Sequence, residues 1–365
     1  MAGITDMVFR SIMRELGCGV VVTELVSADG IEHRSQKTLQ LMRFEELQRP
    51  VGIQLFGDDP EMLGRAAKLV EEMGADFVDL NFGCPVPKVT KRGAGSATLR
   101  DLTQVTAVFR AVKGATKLPV TVKIRTGWDE GSRNSVEVCK IAHDEGLTWV
   151  AIHGRTRAQG YSGDADWDYI SDVKAKSQIP ILGNGDIHTA RQAVDRLRSS
   201  GCDGVLIGRG CLKNPWIFQQ SMALLRQSSP GAKAPAVAAP LLGLEGGSTR
   251  AGQEQLDGAK RSTSVAGRPD DEQAPSPSDF QALFLRMRQK FEDCQTEPRF
   301  IALQIKKFAA WYSTGYAGAS QFRREIFQEC DVDGALAKTI GFFEGLKEAS
   351  QADTSHEPFL MGGHG

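Results

Sequence analysis

The 365-residue chain carries 44 Lys plus Arg against 45 Asp plus Glu, a formal net charge of −1. That balance excludes a general polyelectrolyte attraction to nucleic acid, so any basic surface must be local. With 41% hydrophobic and 24% charged residues the composition is globular, neither disordered nor fibrous.

No apolar run approaches the roughly 20 residues that span a bilayer. MAGITDMVFR at the start lacks a basic stretch and apolar core, so no signal peptide is expected and a cytoplasmic protein is the default. Cys18, Cys84, Cys139, Cys202, Cys211, Cys294 and Cys330 are scattered without a CxxC pair or a Cys/His cluster. Reduced thiols are expected, with neither disulfides nor a metal.

In chain order, residues 1–18 predict a loop and a helix. Thr5 and Asp6 offer an N-cap, and Val8, Phe9, Ile12, Met13 and Leu16 recur at helical spacing. Seven β-rich runs come next, at 19–27, 50–57, 77–83, 119–127, 149–156, 180–187 and 204–210, alternating with amphipathic stretches. That alternation predicts parallel α/β architecture. A closed (β/α)8 TIM barrel needs eight strands, and seven are visible. Residues 1–18 have the form of the loop and helix that succeed a strand, so the first strand is expected upstream of Met1, as if the chain started late.

Each run ends in polar residues or glycine: Gln54, Asn81, Lys123, His153, Asn184, Asp186 and Arg209. Parallel strands bring such tips to one end of the sheet, where α/β folds bind ligands. Turn chemistry alone explains any one polar tip, but poorly explains amide, lysine, histidine and arginine together. The late loops GNGDI and IGRG can cradle a phosphate with backbone N–H groups, with Arg209 as a cationic fork.

Lys123 at a barrel mouth needs an anionic partner, either a ligand such as a reduced flavin or a carboxylate such as Asp79. The segment NFGCPVPKVTKRGAGS (81–96) holds Cys84 on a proline-braced turn straight after a strand. Without a triad partner at sequence distance, Cys84 reads as a proton donor rather than a nucleophile, the alternative being a buried structural thiol. Residues 228–278 have the Ala/Pro/Gly/Ser composition of a disordered linker. After them Phe280, Leu283, Phe284, Met287 and Phe291 recur at helical spacing, followed by IALQIKKFAAWYSTG.

MAGITDMVFR, NFGCPVPKV with KRGAGSATL, TVKIRTGWD, IHGRTRAQGYSGDADWDYI, ILGNGDI and IGRG, in this order, resemble the tRNA-dihydrouridine synthases, in the bacterial NxGCP form. The resemblance covers 1 to about 222 and resumes from about 280 to 330. It implies an FMN enzyme that uses NADPH to reduce the C5–C6 double bond of tRNA uridines, with Cys84 as general acid. Flavin contacts implied are Met1, Ala2, Gln54, Lys123, His153, Asn184, Gly185, Asp186, Gly208 and Arg209, and Asn81 would hold the uracil edge. Positive charge for tRNA would come from Lys88, Lys91, Arg92, Arg100, Arg155 and Arg157 on the loops. The helical module would add more, with Lys306 and Lys307 foremost.

The expected organisation is a catalytic TIM barrel at 1–225, a disordered linker at 226–279, a helical tRNA-binding domain at 280–348 and a disordered tail at 349–365, in a monomer without metal or membrane contact. Alternatives are a flavin-dependent barrel acting on a free pyrimidine or other small molecule, and a tRNA-binding protein without turnover.

Overall fold

Short runs rich in Val and Ile, too brief for helices, form seven parallel strands. They are β1 (Val21–Ser27), β2 (Val51–Phe56), β3 (Phe77–Phe82), β4 (Val120–Arg125), β5 (Trp149–His153), β6 (Ile181–Asn184) and β7 (Gly204–Leu206). All fall within the seven runs expected, and they pair in chain order. The computed structural model describes residues 1, 3–227 and 275–346. Ala2, nearly all of the expected linker and the expected tail therefore lie outside the described residues.

Side chains alternate across a strand, and the two faces have separate cores. Ile53, Leu55, Val78, Leu80, Val122 and Ile124 point outward and pack with the crossover helices in the large core. Phe77, Trp149, Ala151 and Leu182 point inward and, with Val20, Val22 and Leu206, form a second, smaller core. The sheet curls about that inner set as a half-barrel, and among the described residues no strand joins β7 to β1.

Asp6 is the expected N-cap of the helix Met7–Glu15, its Oδ1 accepting from the Phe9 N–H at 2.8 Å. The helical module comprises Pro277–Asp293, Pro298–Tyr312, Ala319–Ile326 and Val332–Glu344. A Ser276–Asp279 capping box starts it three residues before the expected boundary, and the preceding helix Ile217–Gln227 runs two residues past position 225. Phe280, Leu283, Phe284, Met287 and Phe291 are buried, as their spacing predicted.

The module is not a separate bead. Its Phe280 ring meets Trp216 at 5.0 Å, Phe308 stacks on Phe9 at 5.4 Å, and one continuous apolar core contains both parts. All seven cysteines are free thiols. Among the described residues no helix is long and apolar enough to cross a membrane, and no group of His, Cys, Asp and Glu could hold a metal ion.

Candidate active site at the strand ends

Counting in twos from the inner core, with strand register, places Gln54, Asp79, Asn81, Lys123, Arg125, His153 and Asn184 on the concave face, above the apolar layer. Register sets Gln54 beside Asp79, Asn81 beside Lys123, and His153 between Arg125 and Asn184. The polar tips thus meet at one end of the half-barrel.

A hydrogen-bond relay runs across them. Asp79 accepts from Thr121 Oγ1 and from Gln54 Nε2, each at 2.6 Å. With its amide nitrogen turned to Asp79, Gln54 offers Oε1 to Asn81 Nδ2 at 2.8 Å. Asn81 Oδ1 then accepts from the backbone N–H of Gly83 at 3.2 Å and of Cys84 at 2.9 Å. Because a carboxylate only accepts, Asp79 fixes which way both amides face, and through them the cysteine turn.

The turn is held from its other side as well. The Cys84 carbonyl accepts from Ser96 N–H at 3.1 Å and from Ser96 Oγ at 2.9 Å. Gly95, at φ 61, comes so near that an added Cβ would lie 2.9 Å from the Cys84 carbonyl oxygen. Burial pushes the half-buried Cys84 thiol above its ordinary 9.0, against the opposing pull of the Val86 backbone and of Arg125. The thiol keeps its proton at neutral pH.

Beside it lies a layer of cations. Lys123 forms no ion pair with Asp79, whose oxygens are held by Thr121 and Gln54. Desolvation, reinforced by Arg125 and opposed by Asp79, brings Lys123 down to about 8. Arg125, 2% exposed, donates to the carbonyls of Gly83 (2.9 Å), Thr156 (2.9 Å) and Gly160 (2.7 Å), tying the cysteine turn to the 156–163 loop. That loop presents Tyr161, 56% exposed, whose ring lies 5.6 Å from the Arg125 guanidinium carbon and 4.9 Å from that of Arg209. His153 is buried, and desolvation together with Lys123, Arg125, Arg155 and Arg209 holds it well below 6.5, so it is neutral.

The glycine loops differ from each other. At Gly185, φ 133, an added Cβ would run into the Ala165 methyl group, and its carbonyl accepts from Trp167 Nε1 at 3.0 Å. Gly185 therefore serves close packing. At Gly208 an added Cβ meets nothing within 4 Å, and the N–H groups of Gly208 and Arg209 bond to no described residue. Open space, free N–H groups and the Arg209 fork suit a phosphate. An unpaired Lys123 beside the inward amides Gln54, Asn81 and Asn184 suits the anionic, hydrogen-bonding edge of a flavin ring, so the residues present fit that cofactor. Asn184 Nδ2 itself donates to the Leu206 carbonyl at 2.8 Å. The Met1 amino group donates to Thr5 Oγ1 at 3.1 Å, and burial lowers its pKa, opposed by the nearby Glu24.

Four expected site residues have partners within the protein. Arg155 is 2% exposed and clamps Asp186 through bonds of 3.0 and 2.7 Å. Asp186, thus occupied, also lies 3.4 Å from Arg209 and holds both arginines in place. Lys306 donates to the Glu329 carbonyl at 2.9 Å, and Lys307 to the Gly3 carbonyl at 2.8 Å. Lys307 faces Asp6 and Glu24 across the seam with the half-barrel. Asp79, Arg125 and Tyr161 escaped sequence reasoning as site residues, although two-residue spacing from Lys123 and Asn81 marked Arg125 and Asp79 for the same face.

A curled parallel sheet with a thiol and a cation layer at its strand ends is the architecture of a barrel-type α/β enzyme, whose sites lie at that end. The dihydrouridine synthase family profile matches residues 1–243. The chain is 40% identical over 242 residues to the "Probable tRNA-dihydrouridine synthase" of Rickettsia prowazekii, covering 66% of this chain and 74% of that one. Against "tRNA-dihydrouridine synthase B" of Pseudomonas putida it is 43% identical over 226 residues, 62% of this chain and 67% of that one. The corresponding protein of Pseudomonas aeruginosa is 42% identical over 244 residues, 66% of this chain and 74% of that one. The chain belongs to the dihydrouridine synthase family of enzymes.

Proposed function

We propose that this enzyme reduces the C5–C6 double bond of uridines in tRNA, using FMN reduced by NADPH, with Cys84 as the proton donor. The observation that carries the reading is the Cys84 turn, its backbone held by Asn81 and Ser96 next to the cation layer. Lys123, Gln54, Asn184, Gly208 and Arg209 would hold the cofactor, and neutral His153 offers its ring edge. Bound there, a reduced flavin supplies hydride for uracil C6. Cys84 Sγ gives its proton to C5, the thiolate left behind is reprotonated from water, and Asn81 orients the base edge.

A thiol with a raised pKa suits this task, because a donor that were ionised at neutral pH would have no proton to give. The relatives' printed names supply the nucleic-acid substrate, and that substrate implies a cytoplasmic site of action. We assign the chemistry to the half-barrel, residues 1–225, and support of the RNA to the helical module, 280–348. In the decisive experiment, Cys84→Ala keeps FMN absorbance and NADPH oxidation but loses at least about 100-fold in dihydrouridine formation, the lower range for a general acid. Undiminished dihydrouridine by nucleoside mass spectrometry would remove Cys84 from the reaction.

A further inference from the structure

Two arginines near the mouth share one indole ring. The guanidinium carbons of Arg100 and Arg157 lie 4.9 Å and 4.4 Å from the centre of Trp128. Neither guanidinium forms an ion pair or a hydrogen bond within the described residues, and Arg157 Nε is buried without a partner. The neighbouring acids are engaged elsewhere, Asp129 with Ser132 at 2.8 Å and Glu130 with Arg133 at 2.8 Å. Arg133 makes the contrast plain: it also stacks on an aromatic ring, that of Tyr169 at 4.8 Å, but it is neutralised by Glu130 and Asp166.

We propose that Arg100, Trp128 and Arg157 form a preorganised dock for the phosphodiester backbone of a folded RNA, an inference that rests on the tRNA reading above. Two like charges held at one ring without an acid repel each other, and that repulsion is relieved when backbone phosphates bind them. The indole holds two otherwise mobile side chains, so less ordering is left to occur on binding. Their position suits an incoming nucleic acid. Arg157 N–H donates to the Gly127 carbonyl at 3.0 Å and Ala158 N–H to the Trp128 carbonyl at 2.9 Å, fastening the dock to the loop that carries Tyr161. A guanidinium fork on a fixed plane matches phosphate oxygens, which a solvated lysine tip does not.

The test is fluorescence anisotropy of the full chain with an unmodified tRNA transcript over a range of salt concentrations. Arg100→Gln with Arg157→Gln should flatten the plot of log affinity against log salt by about two and weaken low-salt binding at least about tenfold. Trp128→Leu should weaken binding while keeping most of the slope, since the charges remain but are no longer held. Thermal midpoints should stay within a few degrees for the arginine pair, whose heads make no internal bonds; if Trp128→Leu does not fold, the arginine pair decides alone. Wild-type affinity and slope in the arginine pair would overturn the dock, while dihydrouridine formation by the wild type would still uphold the reading it rests on. No tRNA binding by the wild type would overturn both.

Discussion

Lys123 is held where its nearest acid is already bonded to other side chains, and its charge is therefore available to a ligand. Its pKa of about 8 places loss of that charge in an accessible range. FMN affinity should fall as pH rises through about 8, and Lys123→Met should abolish that fall, as read by flavin fluorescence titration. Stability moves the other way. Between about 8 and the ordinary 10.5 the unfolded chain holds more protons than the folded one, so cofactor-free protein should gain stability with rising pH in this window. The relay gives a second test. Gln54→Glu sets a carboxylate against Asp79, where the wild-type pair is 2.6 Å apart, and both cannot be ionised. One shared proton closes the bridge, and burial already raises the Asp79 pKa, so this variant should keep part of its dihydrouridine formation at neutral pH and lose it as rising pH removes that proton. A flat pH profile would mean that the cysteine turn does not depend on the relay.

The strands were legible because Val and Ile runs of six or so residues can only be sheet in so regular an alternation with helices. The tip residues followed from parallel order alone. Partners were not legible, because they depend on register and loop closure: Arg155 meets Asp186 across 31 positions, and Lys307 meets Gly3 across 304. The two glycine loops show the same limit, since GNGDI and IGRG look alike as sequence and differ in what surrounds them. Gly185→Ala forces a Cβ into Ala165 at φ 133 and should cost roughly 2–4 kcal/mol by urea denaturation. Gly208→Ala enters open space and should leave stability within about 1 kcal/mol while weakening FMN, because the new methyl group occupies the phosphate's approach. Equal stability losses in both would deny that the second loop is a cradle.

At the scale of the molecule, the half-barrel and the helical module share one core, and their seam is ionic as well as apolar. Arg286 and Lys290 both pair with Glu15, at 2.9 and 3.2 Å, while Lys290 also reaches Glu45 at 3.6 Å. Arg286 and Lys290 thus spend their charges on the half-barrel, whereas Arg288 pairs with Glu292 and Asp333 inside the module. Phe308, fully buried against Phe9, should unite the parts: Phe308→Ala should cost about 3–5 kcal/mol in a single transition seen alike by circular dichroism and tryptophan fluorescence. Lys307 separates the seam from an RNA surface. It bonds the Gly3 carbonyl and faces Asp6 and Glu24, so Lys307→Glu would bring a third acid to that place and lower the melting temperature. Its effect on the salt dependence of tRNA binding should be negligible, because the ammonium already has its partner inside the protein. A slope reduced by about one at unchanged melting temperature would instead put Lys307 on the nucleic acid, as a surface phosphate contact would require.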